Sequence, residues 1–220
     1  MDIKDLHNKF LECSSIVDID SRSIRDGSMF FAIKGDNFDG NEFVEEALNK
    51  GAKYAIVDSD SVNIDNSKIL RVKDSLGTLQ KLATFHRTKT NSIVIALTGS
   101  NGKTIVKEWL YQLLKEEYNI VKSPKSYNSQ VGVPLSIWQT EEKNNFGIFE
   151  AGISQPGEMG KLEFMIQPTL GVLTNLGGAH DENFKNWDEK AKEKLKLKKY
   201  NPNTRKHEFF VEKKLPPHSK

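Results

Sequence analysis

Short, wholly apolar runs alternate with amphipathic stretches along most of this chain. Met29-Phe30-Phe31-Ala32-Ile33 has no polar position, so it reads as a strand buried on both faces. Phe43 through Leu48 reads as a short helix ended by Gly51. Tyr54-Ala55-Ile56-Val57 and Ile69-Leu70-Arg71-Val72 predict two further strands. Asp74-Ser75 then opens a helix with Leu76, Leu79, Leu82 and Ala83 on one stripe. The polar stretch Thr88-Lys89-Thr90-Asn91-Ser92 is the linker candidate, which sets a first α/β domain at 1–90.

The pattern restarts at Ile93-Val94-Ile95-Ala96-Leu97, a β-branched run suited to a central parallel strand. Val106, Trp109, Leu110, Leu113 and Leu114 recur at helical spacing through Glu117. Phe146–Phe149 and Leu170–Thr174 predict more strands. Strand, turn, helix, strand is the parallel α/β arrangement, which gathers ligand groups at the carboxyl ends of strands. The fold expected is α/β: a small N-terminal domain, then a partial parallel-sheet domain of the P-loop ATPase kind at 91–197, then an atypical tail at 198–220.

Composition narrows this picture. With 37% hydrophobic and 28% charged residues, the chain is neither disordered nor membrane-like. No apolar run approaches the roughly 20 residues of a spanning helix. Met1-Asp2-Ile3-Lys4-Asp5-Leu6 lacks a signal core, so a cytoplasmic location is expected. The single cysteine, Cys13, is read as half-buried and structural. The net charge of +2 divides unevenly, with +7 on residues 185–220. Lysines there alternate with Glu and Leu on an apparent helix without a stacking platform of aromatics, which reads as a solvated helix face with a loose tail rather than a nucleic-acid surface.

Thr98-Gly99-Ser100-Asn101-Gly102-Lys103-Thr104 lies between the restarting strand and its helix. Gly99 and Gly102 let backbone N–H groups close around phosphate oxygens, and the helix N-terminus adds its positive end. Lys103 would neutralise β- and γ-phosphates, and Thr104 would offer a hydroxyl to Mg2+. The common P-loop wants a glycine five positions before Gly102, where Leu97 stands. An ordinary βα turn with an exposed lysine is the competing account.

This turn, on its strand, resembles the ATP-binding motif of the Mur ligases, which build the peptide stem of peptidoglycan, and is similar to that of folylpolyglutamate synthases. The resemblance runs from about Asp18 to Leu197. Asp20-Ser21-Arg22, Gly27 to Gly35 and Asn37-Phe38-Asp39-Gly40 resemble the family's uridine-nucleotide domain, implying Ser21, Arg22, Asn37 and Asp39 as substrate contacts. Tyr127-Asn128-Ser129-Gln130-Val131-Gly132-Val133-Pro134 resembles a second segment, implying that Asn128 positions substrate and nucleotide. Ser-Gln at 129–130 and Phe149 to Ser154 resemble versions fused to an alanine racemase. Ile105 departs from the family's second Thr or Ser, losing one hydroxyl contact.

The resemblance also implies a metal and catalytic set. ATP and Mg2+ are the cofactors, with Gly99, Ser100, Asn101, Gly102, Lys103 and Thr104 on the nucleotide. Glu150 takes the place of a metal-binding glutamate, although a glutamate at a strand end is more often a cap or a surface group. His180 after Thr174-Asn175-Leu176-Gly177-Gly178-Ala179 takes the place of a metal-binding histidine, with a loop histidine as its alternative. Lys194 aligns with a lysine that CO2 converts to a carbamate, a reaction needing the neutral amine and helped by burial. Lys190, Lys192 and Lys196 crowd the same stretch and leave the register open. Lys103, Lys194 and His180 make up the implied catalytic residues.

The implied substrates are UDP-N-acetylmuramoyl-tripeptide and D-alanyl-D-alanine, joined through an acyl phosphate. An amino-acid-adding Mur ligase, a folylpolyglutamate synthase and a non-catalytic nucleotide- or UDP-sugar-binding module are the alternatives. The family's third domain has no counterpart, and the pattern stops after Leu197, so a truncated or altered C-terminus is expected.

Overall fold

The computed structural model describes residues 2–62, 67–177, 181–197, 199–201 and 206–208. Helix α1 (Ile3–Glu12) starts at Asp2, whose carboxylate caps Ile3 N, and buries Leu6 and Phe10. Strands β1 (Val17–Asp18) and β2 (Met29–Phe31) follow, then helix α2 (Val44–Asn49), strands β3 (Tyr54–Val57) and β4 (Ile69–Arg71), and helix α3 (Ser75–Arg87). The four strands pair in the order β1-β2-β3-β4, all parallel.

Alternation decides the two faces of this sheet. Met29, Phe31 and Ile56 point to α1 and α3, where they meet Leu6, Phe10, Leu79 and Leu82. Phe30, Ala55 and Val57 point the other way, to Val44 and Ala47 of α2. The expected helix over 43–48 begins as a 3-10 turn, Gly40–Phe43, before α2 proper.

The second half holds β5 (Ile93–Thr98), α4 (Lys103–Leu114), β6 (Ile120–Lys122), α5 (Gly132–Ile137), β7 (Phe146–Glu150), α6 (Glu158–Ile166), β8 (Leu170–Leu173) and α7 (Trp187–Lys194). Its sheet is parallel, in the order β6-β7-β5-β8. Alternation again sorts the faces. Ile95, Leu97 and Ile148 pack with Val106 and Leu110 of α4, whereas Val94, Ala96 and Phe149 join α5, α6 and α3. One apolar cluster therefore runs from α1 through α3 to α6, beneath both sheets. Two further strands, β9 (Lys199–Asn201) and β10 (Lys206–Glu208), pair antiparallel.

Three expectations need correction. The stripe expected on α4 through Glu117 ends at Leu114, and Trp109 and Leu113 are 65% and 77% exposed. The inward face is set by Val106, Lys107 and Leu110, so Ile105, Trp109 and Leu113, spaced four apart, look outward. Cys13 is fully buried, and burial pushes its thiol up to about 11. The lysine-rich segment is solvated on one side only: Lys185, Lys192 and Lys196 are exposed, but Lys190 and Lys194 of α7, one turn apart, are both buried. Most of the expected loose tail lies outside the described residues.

The polar stretch at 88–92 is held rather than loose. Arg87 is buried and donates to the carbonyls of Ile166, Thr90 and Ser92 and to Thr90 Oγ1.

Candidate functional site

The parallel register builds the site. Leu97 stands beside Glu150 and Thr98 beside Leu173, so the ends of β5, β7 and β8 converge at the turn Gly99–Gly102. Connections leave β5 toward β6 on one side while β8 adds on the other, which opens a crevice at the carboxyl ends.

The turn needs its glycines. Gly99 has φ +141° and Gly102 φ +83°, both outside the range favoured by L side chains. Thr174 Oγ1 donates to Asn101 O at 2.5 Å, Asn175 O accepts from Ser100 N at 3.0 Å, and Asn175 Oδ1 accepts from Asn101 N at 2.8 Å. The segment after β8 thus clasps the turn from outside.

Lys103 folds back, donating from Nζ to Gly99 O at 2.8 Å. Burial lowers its pKa, and Glu150 opposes that shift. Thr104 Oγ1 donates to Glu150 Oε2 at 3.1 Å and lies 3.3 Å from Ser126 Oγ. Glu150 is the last residue of β7, wholly buried, with Oε1 2.9 Å from the equally buried Lys107 Nζ.

Lys194 Nζ donates to Ser100 Oγ at 2.9 Å, and Ser100 Oγ also donates to Gly177 O at 2.8 Å. Lys190 Nζ reaches the same Gly177 O at 2.6 Å. Lys192 is exposed and Lys196 bonds to Glu193 Oε2 at 2.6 Å. A small cavity of about 150 Å³ opens between Gly99, Lys103, Asn128, Gly152 and Lys194. That volume suits a phosphate-sized group rather than a whole nucleotide.

The structure therefore brings Gly99, Ser100, Lys103, Thr104, Asn128, Glu150 and Lys194 to one crevice. His180, expected as a metal ligand, lies outside the described residues, as do Gly178 and Ala179. The residues expected on a uridine nucleotide sit on the other sheet, also at carboxyl ends. Ser21 is buried in a one-turn 3-10 helix after β1, and its carbonyl accepts from Lys50 Nζ at 3.0 Å. Arg22 is 85% exposed by side chain and paired with Asp20 at 2.8 Å, which holds that carboxyl down at about 2. Asn37 is exposed on the loop after β2. Asp39 caps the next turn through Asn41 N at 2.9 Å, and that bond lowers its pKa. Among the described residues no hydrogen bond or ion pair joins Ser21 or Arg22 to Asn37 or Asp39.

Sequence reasoning missed Lys107, the clasp by Thr174 and Asn175, and the Asn41–Asp58 pair, bonded at 2.9 Å. Lys107 shares a helix face with Lys103, four residues earlier, but only its pairing with Glu150 shows that this face is buried. The clasp by Thr174 and Asn175 depends on strand order, which no local pattern encodes.

A parallel sheet with a glycine phosphate turn after its central strand, and a threonine and carboxylate at the turn's mouth, defines a P-loop-like α/β protein. The chain belongs to the Mur ligase family: the Mur ligase middle domain matches residues 97–211, and the description "Mur ligase family, catalytic domain" matches residues 14–87. It is 36% identical over 195 residues to the UDP-N-acetylmuramoyl-tripeptide–D-alanyl-D-alanine ligase of Borreliella burgdorferi, covering 83% of this chain and 42% of that protein. The Bacillus subtilis ligase of the same name is 31% identical over 179 residues, 81% of this chain and 39% of that protein. The MurF ligase of Thermotoga maritima, solved in complex with ADP, superposes with a TM-score of 0.77 at 34% identity, covering 84% of this chain and 43% of that one. The chain thus spans about two fifths of the length of these relatives. Among the described residues, no helix is long and apolar enough to cross a membrane.

Proposed function

We propose that this chain carries the nucleotide and UDP-substrate sites of a cytoplasmic ATP-dependent ligase of peptidoglycan precursor synthesis. Its substrates would be UDP-N-acetylmuramoyl-tripeptide, ATP and D-alanyl-D-alanine. The observation that carries the reading is the 3.1 Å contact between Thr104 Oγ1 and Glu150 Oε2 at the mouth of the phosphate turn. Two hard oxygens at one point fit Mg2+, which takes a few protein oxygens and completes its shell with phosphate and water. When bound, Mg2+ would supply charge neutralisation between β- and γ-phosphates.

The chain's own residues then have definite tasks. Backbone N–H groups of the turn face the phosphates, and Lys103 swings from Gly99 O to a phosphate oxygen. The tripeptide carboxylate attacks the γ-phosphorus, displacing ADP and forming an acyl phosphate. The amine of D-alanyl-D-alanine attacks its carbonyl carbon, expels phosphate and gives up a proton, leaving the amide. Lys103 offsets the repulsion between carboxylate and ATP. Asn128 beside the cavity orients the reacting groups. Burial of Lys194 at the turn supports it as the lysine that forms a carbamate; Lys190 is buried one turn away, whereas Lys192 faces solvent.

Calorimetric titration with Mg-ADP and, separately, with UDP-N-acetylmuramoyl-tripeptide tests this. Binding of both is expected, each raising Tm. Absence of both overturns the proposal. Phosphate release from ATP that requires both UDP-N-acetylmuramoyl-tripeptide and D-alanyl-D-alanine would show the ligase complete in this chain; binding without release would mark it as the substrate-holding part.

A further inference from the structure

Lys107 lies one helical turn beyond Lys103 on α4, and nothing in the chemistry above uses it. Its side chain is 0% exposed, as is that of Glu150, 2.9 Å away. The same ammonium donates to the Lys125 carbonyl and lies 3.5 Å from Glu108 Oε1. Lys125 has φ +50°, a left-handed conformation that a lysine holds only when its surroundings impose it. A buried donor on its carbonyl supplies that constraint. The next residue, Ser126, contacts Thr104, and Asn128 seats its side chain on Gly152, whose N donates to Asn128 O at 2.8 Å. A Cβ on Gly152 would sit 2.9 Å from that side chain, so the fit is tight.

The two oxygens of Glu150 are therefore divided: Oε1 toward Lys107 and Oε2 toward Thr104. A carboxylate removed from water needs a cation or several donors. Lys107 supplies the cation from within the protein, leaving Oε2 on the side of the phosphate turn.

We infer that Lys107 is a positioning residue, a buried cation that fixes the Glu150 carboxylate beside Thr104 and the Lys125–Asn128 loop against the end of β7. One side chain thereby sets both the metal-facing carboxylate and the substrate-facing amide. The inference rests on the proposed reading of Thr104 and Glu150 as Mg2+ donors.

The test compares wild type with Lys107→Met, Glu150→Gln and the double variant. ADP affinity is measured by calorimetry in excess Mg2+ and in EDTA, and stability by urea unfolding. In Lys107→Met the Mg2+-dependent gain in ADP affinity is expected to fall at least tenfold, with affinity in EDTA changed less than twofold. The double variant is expected to recover at least half of the stability lost in Lys107→Met, because the stranded carboxylate is gone. An unchanged Mg2+ gain in folded Lys107→Met, or additive stability losses, overturns the inference. Should Lys107→Met not fold, folding of the double variant supports the inference and its failure to fold overturns it. A wild-type chain whose ADP affinity is indifferent to Mg2+ overturns the metal reading of Thr104 and Glu150 itself, before any variant is made.

Discussion

Gly99 and Thr174 meet so closely that a Cβ on Gly99 would lie 2.0 Å from Thr174 Oγ1, and 3.0 Å from Asn175 N. Thr174 is held in place, since its Oγ1 lies within hydrogen-bond distance of both Thr98 O and Asn101 O. Gly99→Ala therefore combines a clash with a φ of +141°. We expect a loss of about 3 kcal/mol in urea unfolding, from strain and displaced packing, and at least tenfold weaker ADP binding. Gly27→Ala is the control, because its φ is +76° with nothing within 4 Å of the added atom. It should lose only about 1 kcal/mol and leave ADP affinity unchanged.

Arg87 ties the end of α3 to the end of α6 and to the segment before β5 through four hydrogen bonds, all to uncharged oxygens of Ile166, Thr90 and Ser92. Arg87→Met keeps much of the apolar stem but strands three buried carbonyls. Each unpartnered group costs on the order of 1–3 kcal/mol, partly recovered by water. A net loss of about 3 kcal/mol is expected by urea unfolding. A loss within error of zero would show that the 88–92 segment is not held by this side chain.

How much of this was legible beforehand differs by layer. Six of the eight strands in the two parallel sheets show in the sequence because buried parallel strands are largely apolar, as at Met29–Phe31 and Ile93–Leu97. The short edge strands β1 (Val17–Asp18) and β6 (Ile120–Lys122) each end on a charged residue and do not. The turn shows because Gly99 and Gly102 flank the few residues that a phosphate loop requires. Two things were hidden. The inward face of α4 carries Lys107, a charge that any hydrophobic pattern assigns to solvent, and its burial makes sense only with Glu150 beside it. The burial of Lys190 and Lys194 likewise requires acceptors 13 and 94 residues away, Gly177 O and Ser100 Oγ. Pairings over such separations follow from strand order, which periodicity does not record.

His7 makes the fold pH-sensitive where the two halves meet. Its Nε2 lies 3.2 Å from His86 Nδ1, and His86 Nε2 donates to Thr140 O at 2.9 Å, a chain of bonds that two neutral rings satisfy with His7 Nε2 as the donor. Burial first, then His86 and Lys89, lower His7 from 6.5 to about 4. Burial also lowers His86. The unfolded chain then takes up protons before the folded one does. Stability should be level above about pH 6.5 and fall as pH drops toward 4. The ceiling from His7 is about 3 kcal/mol. Urea midpoints from pH 4 to 8 check this, and His7→Gln should flatten the slope.

Of the four lysines that leave the register of the lysine-rich helix open, Lys190 and Lys194 are buried and Lys192 and Lys196 are exposed, so Lys194 against Lys192 tests one step of it. Both fit a sequence in which lysines stand at alternate positions, but the helix turns them to different sides. Lys194 is buried with Nζ on Ser100 Oγ at 2.9 Å, and Lys192 is exposed. Ser100 Oγ accepts from Lys194 and from Gly177 N while donating to Gly177 O, so losing Lys194 loosens the outer clasp of the phosphate turn. Lys194→Met should weaken ADP binding about tenfold, equivalent to about 1.4 kcal/mol, and should abolish any dependence of activity on added bicarbonate. Lys192→Met should match wild type in both measurements. The reverse result, with Lys192→Met impaired and Lys194→Met unaffected, would move the functional lysine by two positions. It would also mean that α7 rotates in solution to present the face that is now exposed.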